Sequence, residues 1–277
     1  DGYNVAVGFE AGLTMTTGVR NTIMGGLAGD ALTTGGYNIA IGYSALGTED
    51  TGAKSVAIGY AALGLQNYNG DAYNIAIGYS TGSEITTGTA NTLIGGLTGD
   101  ALTEGANNVL LGYDAGGSLT TGSENVAIGS YALKTENVNG FNVAIGYSAL
   151  EALDAGDNGY NVAIGYKAGE AMSTGVNNTI MGGLAGDALT TGSGSVALGY
   201  NALGSTTTAI ENVAIGINAL VANVDGAKNV AVGSYALTAL DPASATDMYN
   251  VAVGHQAGTA MTTGTTTTLL GGFAGTA

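Results

Sequence analysis

Sixteen times along this chain a glycine stands four residues after a small polar residue, from Gly8 to Gly271, without exception. The polar anchors are Asn4, Asn21, Asn38, Ser55, Asn74, Asn91, Asn108, Asn125, Asn142, Asn161, Asn178, Ser195, Asn212, Asn229, Asn250 and Thr267. Successive anchors lie 17 residues apart, apart from three longer steps of 19, 19 and 21. Seven residues after the anchor stands Ala in 14 copies and Thr in two, Thr81 and Thr98. A strict internal period of this kind constrains architecture more tightly than any other feature of a sequence.

A 17-residue unit is too short for a helical pair, which needs more than about 30 residues. The phrase after the anchor, "NVAIG" in its commonest form, is β-branched and bounded by turn formers, which predicts a short strand. Glycine every few residues disfavours helix. The chain is therefore expected to be all-β, a parallel β-solenoid of about 16 coils running through residues 1–277 as one continuous repeat domain. At about 4.8 Å per coil such a stack makes a rod roughly 75 Å long. The longer steps fall between strands, at 64–73, 151–160 and 238–249, and should leave the stack as loops without breaking it. A longer period overlies the first. The pair of phrases at 3–35 recurs at 73–105, 160–192 and 249–277, so blocks of four or five coils were duplicated.

Composition narrows the function. The chain has 50 Gly, one Pro and no Cys, and is 45% hydrophobic with only 9% charged residues, which argues against disorder, collagen and a disulfide scaffold. A net charge of −16 repels a phosphate backbone, so nucleic acid is not an expected partner. No apolar run approaches 20 residues, so no membrane insertion is expected in this segment. The acidity reads as solubility for a large repetitive surface, with calcium binding or a salty medium as alternatives. The opening "DGYN", without Met, reads as a processed product or an excerpt of a longer chain.

Side-chain alternation predicts two faces. The first and third residues after the anchor, such as Val162 and Ile164, are expected to fill the interior. The second is Ala in eleven coils and Ile or Leu in Ile23, Leu93, Leu110, Ile180 and Leu269, so the opposite face is apolar too. That second face is expected to pack against another chain, or else against a second wall of its own flattened coil. Three residues before an anchor stands Gly in ten of fifteen steps, and four of the five exceptions (Asp71, Asn139, Asn158, Ala209, Asp247) are Asn or Asp, which predicts a left-handed residue there. The anchor Asn residues should form an amide ladder. Tyr43, Tyr60, Tyr79, Tyr113, Tyr147, Tyr166 and Tyr200, each five after an anchor, read as a stacked aromatic ladder or a glycan-binding strip.

Catalytic chemistry is absent from the pattern. The one histidine, His255, replaces Tyr in the ladder, and no triad can repeat around it, so no enzyme and no cofactor are expected. "GGLAGDAL" at 25–32 and 182–189 is a poor match to a calcium-binding nonapeptide, leaving Asp30, Asp100 and Asp187 as a weak calcium alternative. "GGxxG" lacks the lysine and crossover helix of a nucleotide loop.

The phrases "NVAIGYSAL" (142–150), "SVAIGYAAL" (55–63) and "SVALGYNAL" (195–203) resemble the head repeats of trimeric autotransporter adhesins, and the 17-residue form resembles repeats of phage tail fibres and large bacterial surface proteins. The resemblance implies a left-handed β-roll, a homotrimer, an extracellular location and a structural or adhesive fibre segment. Such a segment would carry attachment to a surface glycan or host receptor. Autotransporter coils are usually shorter than these, so the secretion route is not carried over. A self-assembling extracellular filament is the alternative. An ice-binding solenoid fits less well, because Thr16–Thr17 and Thr33–Thr34 are adjacent and point to different sides.

Overall fold

The computed structural model describes residues 2–242 and 244–276, and Ala243 of the 238–249 segment lies outside them. The described chain contains no helix, hence none long and apolar enough to cross a membrane. It is an all-β parallel solenoid of about 16 turns, divided into two compact units, Asp1–Gly140 and Phe141–Ala277. Each unit contributes eight three-residue strands, one after each anchor: Val5–Val7 to Val126–Ile128 in the first, Val143–Ile145 to Thr268–Leu270 in the second. Neighbouring strands pair in parallel with no slip, as in Ile39↔Val56 and Val196↔Val213. The three longer steps leave this register intact: Val56 still pairs with Ile75, Val143 with Val162, and Val230 with Val251.

The invariant glycine is required twice over. Gly165 has φ +140°, a region closed to side chains, and a Cβ on it would stand 2.5 Å from the carbonyl oxygen of Gly182 in the next coil. The glycine three residues before the anchor has a different cause from the left-handed turn expected of it. Gly18, Gly35 and Gly105 do not have positive φ; a Cβ on Gly18 would instead lie 2.5 Å from the Gly35 carbonyl oxygen. Close approach of stacked backbones selects Gly there. The left-handed residues sit six, eight and sixteen after the anchor, and most are not Gly: Ser44 (φ 52°), Leu46 (54°) and Lys54 (63°) in one coil. Each is pinned by bonds along the stack, Ser44 N–H donating to Gly26, Leu46 N–H to Ala62 and Lys54 N–H to Gly36. Such bonds offset the cost of about 1 kcal/mol or more per left-handed residue.

The interior corrects the expected assignment of faces. The second residue of each strand points inward: Ala163, Ala57 and Leu93 are fully buried, whereas the first and third point outward. Every inward Ile or Leu (Ile23, Leu93, Leu110, Ile180, Leu269) faces a Gly eight after its anchor (Gly29, Gly99, Gly116, Gly186, Gly275). Every Leu at that eighth position, such as Leu46, Leu63, Leu133 and Leu220, is matched by an inward Ala. Where both are small, neighbours fill the space: a Cβ on Gly82 would lie 2.8 Å from Leu93 and 3.3 Å from Leu63, in the coils on either side. Between the second and eighth positions each layer thus holds one large side chain or takes two from its neighbours, which leaves no void.

The anchor asparagines from Asn21 onward are buried and form the expected ladder in a richer form. The Asn21 backbone N–H donates to Asn4 Oδ1 (2.8 Å) and the Asn38 N–H to Asn21 Oδ1 (2.9 Å), while Asn21 Nδ2 donates to the Gly35 carbonyl and closes its own coil. Side-chain amides also bond directly, Asn91 Nδ2 to Asn74 Oδ1 at 3.2 Å. At Ser55 the ladder loses its amide, and two buried polar residues replace the usual Leu eleven after the anchor. Gln66 donates to Ser55 Oγ and Glu49 Oε2 (2.9 Å each) and accepts from Asn74 Nδ2 (2.9 Å); Glu49 Oε1 accepts from the Gly52 N–H (2.6 Å).

Candidate functional site

With the inner face occupied, the outer face of each sheet is what the molecule presents. Its side chains are the first and third strand residues, edged by the residue before the anchor and by the fifth after it. None of the five basic or 21 acidic residues stands at positions one to five after any anchor. The face is aliphatic through the middle, with Thr in four coils, and aromatic rings line much of its margins; charge enters only directly before an anchor, at Arg20, Lys54, Glu124, Glu211 and Lys228.

The margins are ordered. Five after the anchor, Tyr43 stacks on Tyr60 (5.6 Å, 12° between planes) and Tyr60 on Tyr79 (5.2 Å, 12°); in the second unit Tyr147 stacks on Tyr166 (5.7 Å). The ring faces that would stack on a sugar are turned toward one another, as in the structural ladder expected from the sequence. His255 continues the row edge-on, between Tyr235 (6.3 Å) and Phe273 (5.4 Å).

All five cations of the chain lie over tyrosine rings, a pattern the sequence reading missed: Arg20 over Tyr37, Lys54 over Tyr73, Lys134 over Tyr131, Lys167 over Tyr166 and Lys228 over Tyr249, at 4.8–5.8 Å. The four lysines also pair with carboxylates, Asp71, Asp114, Glu170 and Asp247 in turn. Two of these sites are near copies. Lys54 Nζ lies 2.7 Å from Asp71 and 3.1 Å from Tyr73 Oη, and that hydroxyl donates to Asp71 (3.1 Å). Lys228, Asp247 and Tyr249 repeat the arrangement at 2.6, 3.4 and 3.2 Å. The Asp71 hydrogen bond raises Lys54 and the Lys54 hydrogen bond lowers Asp71, with the same directions in the second copy. Both clamps follow a longer loop, where the backbone re-enters through a short parallel bridge, Ala53↔Asp71 or Ala227↔Asp247. The signal was the recurrence of Lys before one anchor with Asp-x-Tyr before the next.

The calcium alternative finds no geometry. Asp30 and Asp100 belong to coils four apart, about 19 Å at the strand spacing, and Asp187 belongs to the other unit. Among the described residues no three His, Cys, Asp or Glu side chains converge on a point. Burial, with the negative charges of Asp114 and Glu84, raises Asp100; burial, with Glu170, raises Asp187, whose Oδ1 is buried without a hydrogen-bond partner. In five of the six "TTG" turns the first threonine spends its hydroxyl on the next coil, as Thr120 does on the Asn137 carbonyl and Thr190 on that of Thr207 (3.0 Å each). In the interior coils the second threonine, such as Thr34, Thr87 or Thr191, is the exposed one.

No protein-family model matches the chain, and no curated protein or solved structure does.

Proposed function

We propose that the chain is a non-enzymatic structural segment of an extracellular fibre, a shaft or head of the phage tail-fibre or bacterial-adhesin kind, assembled as a homotrimer through its outward sheet faces. One observation carries the reading: positions one to five after every anchor, the body of the outward face, hold no charged residue in a protein of net charge −16. Excluding charge from a face while concentrating it elsewhere lets like-charged copies meet there without repulsion.

The area suffices. Tyr37, Tyr43, Tyr60, Tyr73, Tyr79 and Tyr113 in the first unit are 48–59% exposed. Together these rings offer roughly 600 Å², before the aliphatic side chains between them are counted. A standard interface takes about 800 Å² from each partner. Attachment to a host surface or glycan would then belong to the assembled fibre, with this segment as its carrier.

Sedimentation velocity of the purified chain at micromolar concentration tests the reading. The expected species has three times the 27.0 kDa chain mass. A single 27.0 kDa species contradicts it. Long polymers of open-ended length favour instead the filament reading.

A further inference from the structure

The outward face is not uniform. In the coils of Asn21, Asn91 and Asn178 the first strand residue is Thr (Thr22, Thr92, Thr179) and the fifth residue after the anchor is Gly (Gly26, Gly96, Gly183). The missing aromatic ring uncovers the third strand residue. Met24, Ile94 and Met181 are 39–41% exposed, and the third residue is exposed in no other coil except the first and last. Each of these coils is a notch, floored by an aliphatic side chain and bounded on one side by the ring of the next coil. Tyr43, Tyr113 and Tyr200 reach to 3.5–3.7 Å of where a Cβ on the glycine would be. The coil of Thr267 repeats the pattern with Thr268 and Gly272.

The opposite margin carries the complementary shape. Tyr3, Tyr73, Tyr160 and Tyr249, each directly before an anchor, are 53–74% exposed. In the first unit Tyr3 and Tyr73 are four coils apart, as are the notches at Gly26 and Gly96. In the second unit Tyr160 and Tyr249 are five coils apart, as are Gly183 and Gly272. In every block the tyrosine stands one coil before the notch. Three of the four rings are held in place: Tyr73 and Tyr249 by the Lys–Asp clamps, Tyr160 by stacking on Phe141 at 5.1 Å. Holding a ring in position lowers the entropy lost on docking.

We infer that the occupant of the notches is a second copy of this chain, level with the first, whose tyrosine before the anchor reaches the notch one coil further along in its neighbour. The long side chain spans this offset of contact of about 4.8 Å while the trimer stays closed. A single offset seats both rings of a unit at once. Because the spacing is four coils in one unit and five in the other, each unit fits only its own counterpart, and the pattern sets the axial register of the assembly. Tyr37, the other tyrosine of this margin in the first unit, then meets the ring-bearing coil of Tyr60 and packs ring against ring. The inference rests on the self-association proposed above.

Gly96→Tyr fills a notch. The backbone there has no positive φ, a Cβ meets nothing closer than Tyr113 at 3.7 Å, and seven of the sixteen coils already carry Tyr at this position, so the fold accommodates the change. The expected result is an unchanged circular dichroism spectrum with at least a tenfold rise in the dissociation constant of the assembly. Unchanged association overturns the inference and leaves the function reading standing. In a second experiment a photoreactive phenylalanine analogue replaces Tyr73. Crosslinked multimers should map to residues 92–97 of another copy. Crosslinks to 74–79 of another copy, or an assembled protein with no crosslink between copies, overturn the offset. A wild-type chain that stays monomeric overturns both readings.

Discussion

The two faces of one strand make the instructive comparison. Val162, Ala163 and Ile164 are all apolar, yet only Ala163 is buried within the chain. On the inner face, volume is reciprocal inside a single molecule: Ile or Leu beside Gly, Ala beside Leu, with no exception where either large residue occurs. On the outer face no such reciprocity exists within the chain. Its complements, tyrosine rings and notches, sit on opposite margins, and in the assembly proposed above another copy brings them together. An inner face is satisfied by its own coil; an outer face of the same chemistry asks for a neighbour.

Substitutions can break this contrast, and the largest effect is expected where both steric demands coincide. Gly165→Ala places a methyl 2.5 Å from the Gly182 carbonyl oxygen at φ +140°, so it should cost several kcal/mol and abolish cooperative unfolding of the second unit, read by urea denaturation. The volume rule comes next. Ala40→Leu alone should overpack its layer by about 1–3 kcal/mol. Leu46→Gly alone should open a cavity costing about 2–5 kcal/mol. The pair recreates the Leu110–Gly116 arrangement, so a double-mutant cycle should recover most of the loss. Additive losses would mean the reciprocity is incidental.

A smaller effect is expected from Asp187→Asn. The folded chain raises this carboxyl above the ordinary 3.8, chiefly by burial, so the unfolded chain binds fewer protons and the carboxylate subtracts stability at neutral pH. That penalty is complete above the raised value and relieved as pH falls toward 3.8. The variant should therefore melt higher than wild type at pH 7, and the difference should vanish below about 3.8. The smallest effect belongs to Lys54→Met. Its ion pair is exposed and screened, so the melting temperature should be indistinguishable from wild type, while crosslinking from position 73 becomes less selective.

The period, the coil count, the strand positions and both ladders were legible in the sequence because each is a one-dimensional pattern. The orientation of the strand was not. Alternation says only that Val162 and Ile164 oppose Ala163, and with both sets aliphatic it cannot say which set is inside. The direction is set by backbone bends at residues such as Gly165, Ser44 and Leu46, whose φ values no periodicity reveals. The pairing of the second position with the eighth after the anchor was nonetheless written in the sequence, and it marks which residues share a layer. The Lys54–Asp71–Tyr73 clamp escaped notice because a longer loop stretches the spacing between its members from 17 to 19 residues.

The claim that the outward face is covered by another copy can be put to a direct chemical test, since the chain has no cysteine. Single cysteines at Ile75→Cys, an outward strand residue 37% exposed in the lone chain, and Thr34→Cys, on an exposed turn, can be labelled with a maleimide at micromolar protein. Position 75 is expected to react at least tenfold more slowly than position 34, and the two rates should approach one another when dilution separates the copies. Equal rates at both positions in the concentrated protein would contradict it.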